Sequence, residues 1–279
     1  MIKQEDITFV AKEAFRRSGL VLSLDKGYLL ESRLAPLARA EGYPSIDALI
    51  NSARRENSDR LLWSITEALA THETFFFRDN TPFDLFKNEV LPELARARGN
   101  VGKIRIWCAA CSSGQEPYSL AMLLEEERAR LNGLKVEIVA TDMAGRILEK
   151  AKAGVYSQFE VQRGLPIQRL IAHFEQNGEQ WRIKPNIRQM VTFQKQNLLE
   201  SFSALGNFDV IFCRNVLIYF DPKTKSKVLG DLARQTAKDG YLIMGAAETV
   251  VGLSNDFSPV DGQRGLYSHK ENKAKSAAA

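Results

Sequence analysis

Cysteine is scarce in this sequence: Cys108, Cys111 and Cys213 are the only three among 279 residues. So few, and odd in number, they exclude a disulfide-stapled scaffold and fit a reducing, cytoplasmic setting. Histidine is equally rare, at three, and none is spaced with the thiols as zinc ligands would be, so no metal is expected. No apolar run approaches the ~20 residues that a membrane-spanning helix needs. Met1 to Lys12 carries charges throughout and does not read as a secretory signal. A dominant charge of one sign is missing too. The 38 basic and 34 acidic residues leave a net +4, and no basic–aromatic stripe marks a nucleic-acid surface. What remains is the composition of a folded chain. It is 44% hydrophobic and 26% charged, enough for one large domain or two modest ones.

Two textures divide the chain. In residues 1–80, Ile7, Val10, Ala11, Ala14 and Phe15 recur at helical spacing, as do Tyr28, Leu29, Leu34 and Leu37. Ser45 and Ser58 are placed to cap further helices, so a helical domain is expected here. Residues 81–102 end in turn formers and read as a linker. From Lys103 short apolar runs (Ile104–Cys108, Val136–Ala140, Phe208–Cys213, Tyr241–Met244) alternate with helical stretches (Pro117–Leu131, Ala144–Ala153, Lys223–Ala237). That alternation predicts a parallel sheet with helices on both faces. Around 160–193, Gln176-Asn177-Gly178-Glu179 and the extended run Trp181–Ile183 suggest a small inserted antiparallel sheet, and Asp261-Gly262 suggests a closing hairpin. Residues 271–279 read as a frayed tail.

In an open parallel sheet, ligands bind beyond the carboxyl ends of the strands. After Ile104–Cys108 comes the small-residue turn Ala109 to Gly114, then Gln115-Glu116-Pro117 opening a helix, with no phosphate-loop Lys-Ser or Lys-Thr. After the second strand comes Asp142, 28 positions beyond Gly114 and placed as an acceptor for a ribose diol, or else as a helix cap. Arg214-Asn215 follows the Phe208–Cys213 strand, and Asn197-Leu198 follows Val191–Gln196 in the same topological position. Trp107-Cys108-Ala109-Ala110-Cys111 suggests a redox dithiol, but Ser112 to Glu116 separate both thiols from the helix start that would activate them. His72-Glu73-Thr74-Phe75-Phe76-Phe77-Arg78-Asp79 reads either as a buried connector or as a ligand lid, and His173 and His269 as surface or packing residues.

HETFFFRD, WCAACSSGQEPYSLAM, ATDM, NLL and FDVIFCRNVLIYFD, in that order, resemble the CheR-type chemotaxis receptor methyltransferases. The likeness runs from the N-terminal helices to the final hairpin. It implies an α/β, Rossmann-like methyltransferase sheet over 103–270, with an N-terminal helical domain and the inserted antiparallel subdomain. It also implies methyl transfer from S-adenosylmethionine, leaving S-adenosylhomocysteine, to glutamate side chains on the cytoplasmic helical domain of chemoreceptors. Carried over position by position, it implies cofactor contacts from His72 (where many members have Asn), Thr74, Arg78, Glu116, Asp142, Asn197, Leu198, Arg214 and Asn215. Arg78 and Tyr219 are implied beside the reacting methyl, and Lys26, Arg33 and Arg39 as docking cations for an acidic receptor helix. Two departures stand out. Cys108 occupies a position where relatives commonly carry Ser, and Gln176–Glu179 is short for the hairpin loop with which some relatives grip a receptor's terminal peptide, so no such tether is expected. Two other readings stay open: a cofactor-binding adaptor without transfer, and a methyltransferase for another acceptor.

Overall fold

The computed structural model describes residues 2–23, 27–99 and 102–272. The chain divides into two compact units, one of Met1–Thr71 with Tyr219–Thr224, the other of His72–Ile218 with Lys225–Ala279. The division falls at Thr71 rather than at residue 80, and the helical unit takes back a short segment from far downstream.

The helical unit contains α1 (Gln4–Ser18), α2 (Gly27–Ala40), α3 (Ile46–Arg55) and α4 (Asp59–Leu69). Ser45 and Ser58 cap α3 and α4, their side-chain oxygens accepting from Ala48 N–H at 3.1 Å and Leu61 N–H at 3.4 Å. Ile7, Val10, Ala14, Leu30, Leu34, Leu49, Ile50, Leu61, Leu62 and Ile65 form its aliphatic core. The helical spacing is right in kind and too generous in extent: Phe15 and Tyr28 are 42% and 67% exposed.

The second unit opens with α5 (Thr81–Leu85), a π-helical turn (Phe86–Val90) and α6 (Leu91–Arg98). The segment read as a linker is therefore largely helical, and Phe83, Phe86, Val90, Leu91 and Leu94 are buried in the core. Pro82 and Pro92 stand at the first turns of α5 and α6, where no amide donor is required, so they start helices instead of breaking them. There follow β1 (Lys103–Ala109), α7 (Gln115–Glu126), α8 (Arg128–Leu131), β2 (Lys135–Asp142), α9 (Gly145–Ala153), β3 (Val155–Ser157), α10 (Gln158–Gln162) and α11 (Ile167–His173). Then come β4 (Phe174–Asn177), β5 (Gln180–Ile183), α12 (Pro185–Arg188), β6 (Val191–Lys195), β7 (Phe208–Cys213), α13 (Pro222–Gln235), β8 (Thr236–Met244), β9 (Phe257–Pro259) and β10 (Leu266–His269).

Seven strands form one sheet in the order β6-β2-β1-β7-β8-β10-β9. The first five are parallel, and β10 and β9 add an antiparallel edge. Every residue of β7 is buried, as expected of a parallel strand covered on both faces. From β1 the chain moves first to one side (β2, β6) and then to the other (β7, β8), so the strand order reverses between β1 and β7. That reversal opens a crevice at the carboxyl ends. The inserted sheet, β3-β5-β4, spans Val155 to Ile183, and its β4–β5 hairpin turns over two residues, with Gly178 at φ 62°.

Candidate active site

Four neighbouring strand ends, those of β6, β2, β1 and β7, carry the predicted residues to one edge of the sheet. After β1 the chain turns through Ala110 (φ 62°), Ser112 (φ 52°) and Gly114 (φ 91°), all left-handed. Glycine is needed at the last of these. A Cβ on Gly114 would meet Ala151 Cβ at 3.0 Å, and the Tyr118 ring and the Tyr156 hydroxyl each at 3.2 Å. The turn is tied down on both sides. Cys111 N–H donates to Thr141 C=O at 2.8 Å, Ser112 N–H to Asp142 Oδ2 at 2.8 Å, and Tyr156 O–H to Ser113 C=O at 2.7 Å.

Asp142 closes β2 and is 6% exposed. Its second oxygen accepts from Ala144 N–H at 3.0 Å, so the carboxylate is fixed in orientation by backbone from both flanking loops. That bond is a local Asx turn, not a helix cap: Ala144 is the N-cap of α9, and no side chain caps it. Asn197 and Leu198, after β6, are both buried, and Asn197 Oδ1 accepts from Leu199 N–H at 3.1 Å.

Glu116 lies in the first turn of α7, beneath the turn after β1, and Arg214 follows β7. The Arg214 side chain is 1% exposed; its Nη1 donates to Glu116 Oε2 at 2.8 Å. Its Nη2 donates to Asp79 Oδ2 and to Arg78 C=O, each at 2.9 Å. The third nitrogen, Nε, is buried without a hydrogen-bond partner among the described residues. Burial pushes the Glu116 carboxyl pKa above its ordinary value, and the Arg214 charge opposes that rise. Asp79 was not singled out from the sequence, although HETFFFRD contains it.

The HETFFFRD segment is packed and bent. Phe76 and Phe77 are buried, His72 C=O accepts from Ser112 Oγ at 2.8 Å, and Phe77 N–H donates to Ser119 Oγ at 2.9 Å. Phe77, Asp79 and Asn80 have φ of 50°, 69° and 46°. Such conformations in bulky residues cluster where a site over-determines the backbone. Thr74 is half-buried, and Arg78 donates through Nη1 to Glu73 C=O at 2.9 Å. The buried phenylalanines and these bonds fit the connector reading of the segment.

The remaining predicted residues belong to other parts of the chain's architecture. Tyr219 belongs to the helical unit: its C=O accepts from Val21 N–H at 2.9 Å and its ring packs on that unit's core. Arg33 is spoken for, donating to Leu69 C=O and to Thr71 Oγ1, the latter at 2.9 Å. Arg39 is exposed, and Lys26 lies outside the described residues. His173 and His269 are both buried, as packing residues rather than surface ones. The dithiol reading fails: Cys108, Cys111 and Cys213 are all buried, and burial pushes each thiol well above its ordinary pKa, the opposite of an activated thiolate. Among the described residues no helix is long and apolar enough to cross a membrane.

Comparison with known proteins meets this geometry from two directions. The model of the CheR methyltransferase SAM binding domain matches residues 72–266, and that of the CheR methyltransferase all-alpha domain matches residues 5–69. Chemotaxis protein methyltransferase 1 of Pseudomonas aeruginosa is 42% identical over 252 residues, covering 89% of this chain and 91% of its own. The chemotaxis protein methyltransferase of Vibrio parahaemolyticus is 42% identical over 245 residues (87% and 88%). That of Borreliella burgdorferi is 36% identical over 260 residues (91% of each). With both domains matched and the nucleoside-type crevice between β1 and β7, the chain belongs to the CheR methyltransferase family and carries out S-adenosylmethionine-dependent methylation in chemotaxis.

Proposed function

We propose that the chain methylates glutamate side chains on the cytoplasmic helices of chemoreceptors, as a cytoplasmic protein-glutamate O-methyltransferase. Likeness to the chemotaxis methyltransferases suggests the acceptor; the observation that carries the cofactor side is the buried Arg214, held by Glu116 and Asp79 with Nε left over. Buried N–H groups are nearly always paired within a folded protein, so a leftover donor beside a carboxylate suits a zwitterionic ligand. The residues fit S-adenosylmethionine: Arg214 Nε for its carboxylate with Asn215 beside it after β7, Glu116 for its ammonium group, Asp142 for the ribose diol, and Asn197 and Leu198 around the base. His72, Thr74 and Arg78 line the other side. When bound, S-adenosylmethionine supplies a sulfonium methyl, an electrophile that needs no further activation.

The substrate side asks little proton chemistry. A glutamate carboxyl, pKa ~4.3, is already ionised at neutral pH, so no general base is required. One carboxylate oxygen forms the new bond to carbon as the carbon–sulfur bond breaks in line, its electron pair staying on sulfur and leaving a neutral thioether. The protein must strip water from the carboxylate and align it. Arg78 offers a two-pronged donor for a carboxylate, and the Tyr219 hydroxyl a single donor to steer its oxygen. Tyr219→Phe is expected to slow transfer about tenfold, the value of roughly one hydrogen bond, with cofactor affinity unchanged. Of the proposed docking cations, Arg39 is exposed and Lys26 remains a candidate, while Arg33 has backbone and side-chain partners already.

The deciding experiment incubates the protein with methyl-labelled cofactor and receptor-containing membranes, then applies mild base. Methyl esters release volatile methanol; N- and S-methyl groups do not. Absence of base-labile label across several receptors overturns the glutamate reading. The two-residue β4–β5 hairpin supports a tether-free enzyme, and micromolar binding of a receptor's terminal pentapeptide would contradict that.

A further inference from the structure

Glu248, four residues beyond β8, was not marked by any sequence pattern. The residue is 9% exposed, and its carboxylate gathers five backbone donors. Oε2 accepts from Asn215 N–H at 2.7 Å and Gly245 N–H at 2.9 Å. Oε1 accepts from Val216 N–H at 3.0 Å, Leu217 N–H at 2.8 Å and Ile218 N–H at 3.3 Å. The donors come from the residues that follow β7 and β8, so one side chain fastens two adjacent strand ends together. Asn215 is held at φ 58°, a left-handed conformation that directs the chain away from β7 immediately after Arg214. The fit is close. A Cβ on Gly245 would stand 2.7 Å from Glu248 Oε2 and 2.9 Å from Asn215 Nδ2, so a side chain there displaces the carboxylate from its place.

We propose that Glu248 is a positioning residue for cofactor binding: its carboxylate, clamped on the Asn215–Ile218 amides, presents Arg214 and Asn215 to the crevice. The proposal rests on the cofactor roles given above for Arg214 and Asn215. Five N–H groups converging on one carboxylate form a concave anion site of the kind oriented backbone amides make, here filled from within the chain. Ionised acceptors bind such donors about twice as strongly as neutral ones. A glutamine of the same shape can serve only one side. With its oxygen toward Val216, Leu217 and Ile218, its NH₂ faces the Asn215 and Gly245 N–H groups, donor against donor in a buried place. Glu248→Gln therefore releases Asn215 first, while the rest of the clamp persists.

The test compares wild type, E248Q and R98Q for affinity toward S-adenosylhomocysteine by calorimetry, well below each melting temperature, alongside thermal melts. Arg98 is the control because its ion pairs lie at the opposite end of β7. The expected result is a rise of about tenfold or more in Kd for E248Q, about 1.4 kcal/mol, against an unchanged Kd for R98Q even where R98Q melts lower. A purely structural Glu248 would lower the melting temperature and leave Kd alone, and that outcome overturns the proposal. If E248Q does not fold, G245A carries the same test by pushing the carboxylate off its donors, and wild-type affinity in folded G245A overturns it equally. Wild-type protein that binds no S-adenosylhomocysteine overturns the cofactor reading itself, a result distinct from equal binding by wild type and E248Q.

Discussion

Strand β7 carries an arginine–carboxylate cluster at each end, and the two ends differ in one nitrogen. At its start, Arg98 Nε donates to Asp209 Oδ1 at 2.7 Å, while Nη1 and Nη2 donate to the two oxygens of Asp239 at 2.7 and 2.6 Å. Asp209 Oδ2 accepts from Arg105 N–H at 2.7 Å. Every guanidinium nitrogen is used, and the cluster pins α6 to the bases of β1, β7 and β8. At the far end Arg214 is more deeply buried than Arg98, 1% against 14%, yet leaves Nε unused. The same chemistry does two jobs. A closed cluster holds the fold, and the open one is where the proposal above seats the cofactor carboxylate.

Substitutions at the two ends test that contrast. The largest effect is expected from Arg214→Gln, which removes a buried charge-assisted donor and should weaken S-adenosylhomocysteine binding roughly 100-fold. Arg98→Gln should leave that affinity within about twofold and instead cost about 2 kcal/mol of stability, a fall of roughly 4–8 °C in melting temperature. If Arg98→Gln costs as much affinity as Arg214→Gln, the contrast between the ends is wrong. The smallest effect concerns the thiols. Cys108 and Cys213 are neighbours of this strand end, and native protein should resist alkylation at pH 7.5, reacting only once unfolded. Their folded pKa values lie above that of an unfolded thiol, ~8.5, so on raising pH the unfolded chain loses protons first. Stability is therefore full below about pH 8.5 and declines above it, which denaturant melts across pH 7–10 would show.

The sheet was legible because its strands are short apolar runs bounded by turns, and because the residues just after them are polar against expectation. Asp142 and Arg214-Asn215 could be picked out that way; Glu116, inside the first turn of α7, came only from the family resemblance. Residues 81–102 were not legible, because Pro82 and Pro92 are breakers by composition and become helix starts only by position. Asp79 hid in a motif already explained by its three phenylalanines. Glu248 left no trace at all: it stands 33 positions from Asn215, and its partners are backbone amides, which every residue but proline possesses. Sequence marks side chains that recognise side chains far better than it marks a side chain that recognises backbone.

The helical unit is not finished by its own first 71 residues. It also takes in Tyr219–Thr224, with Val21 N–H bonded to Tyr219 C=O. On a ribosome this imposes a delay. About 150 residues must be made after Thr71 before that segment exists, roughly 7–30 s at typical elongation rates of ~5–20 residues per second. Until then the four helices lack Tyr219, which packs on their core, so this unit is completed only after most of the other has been made.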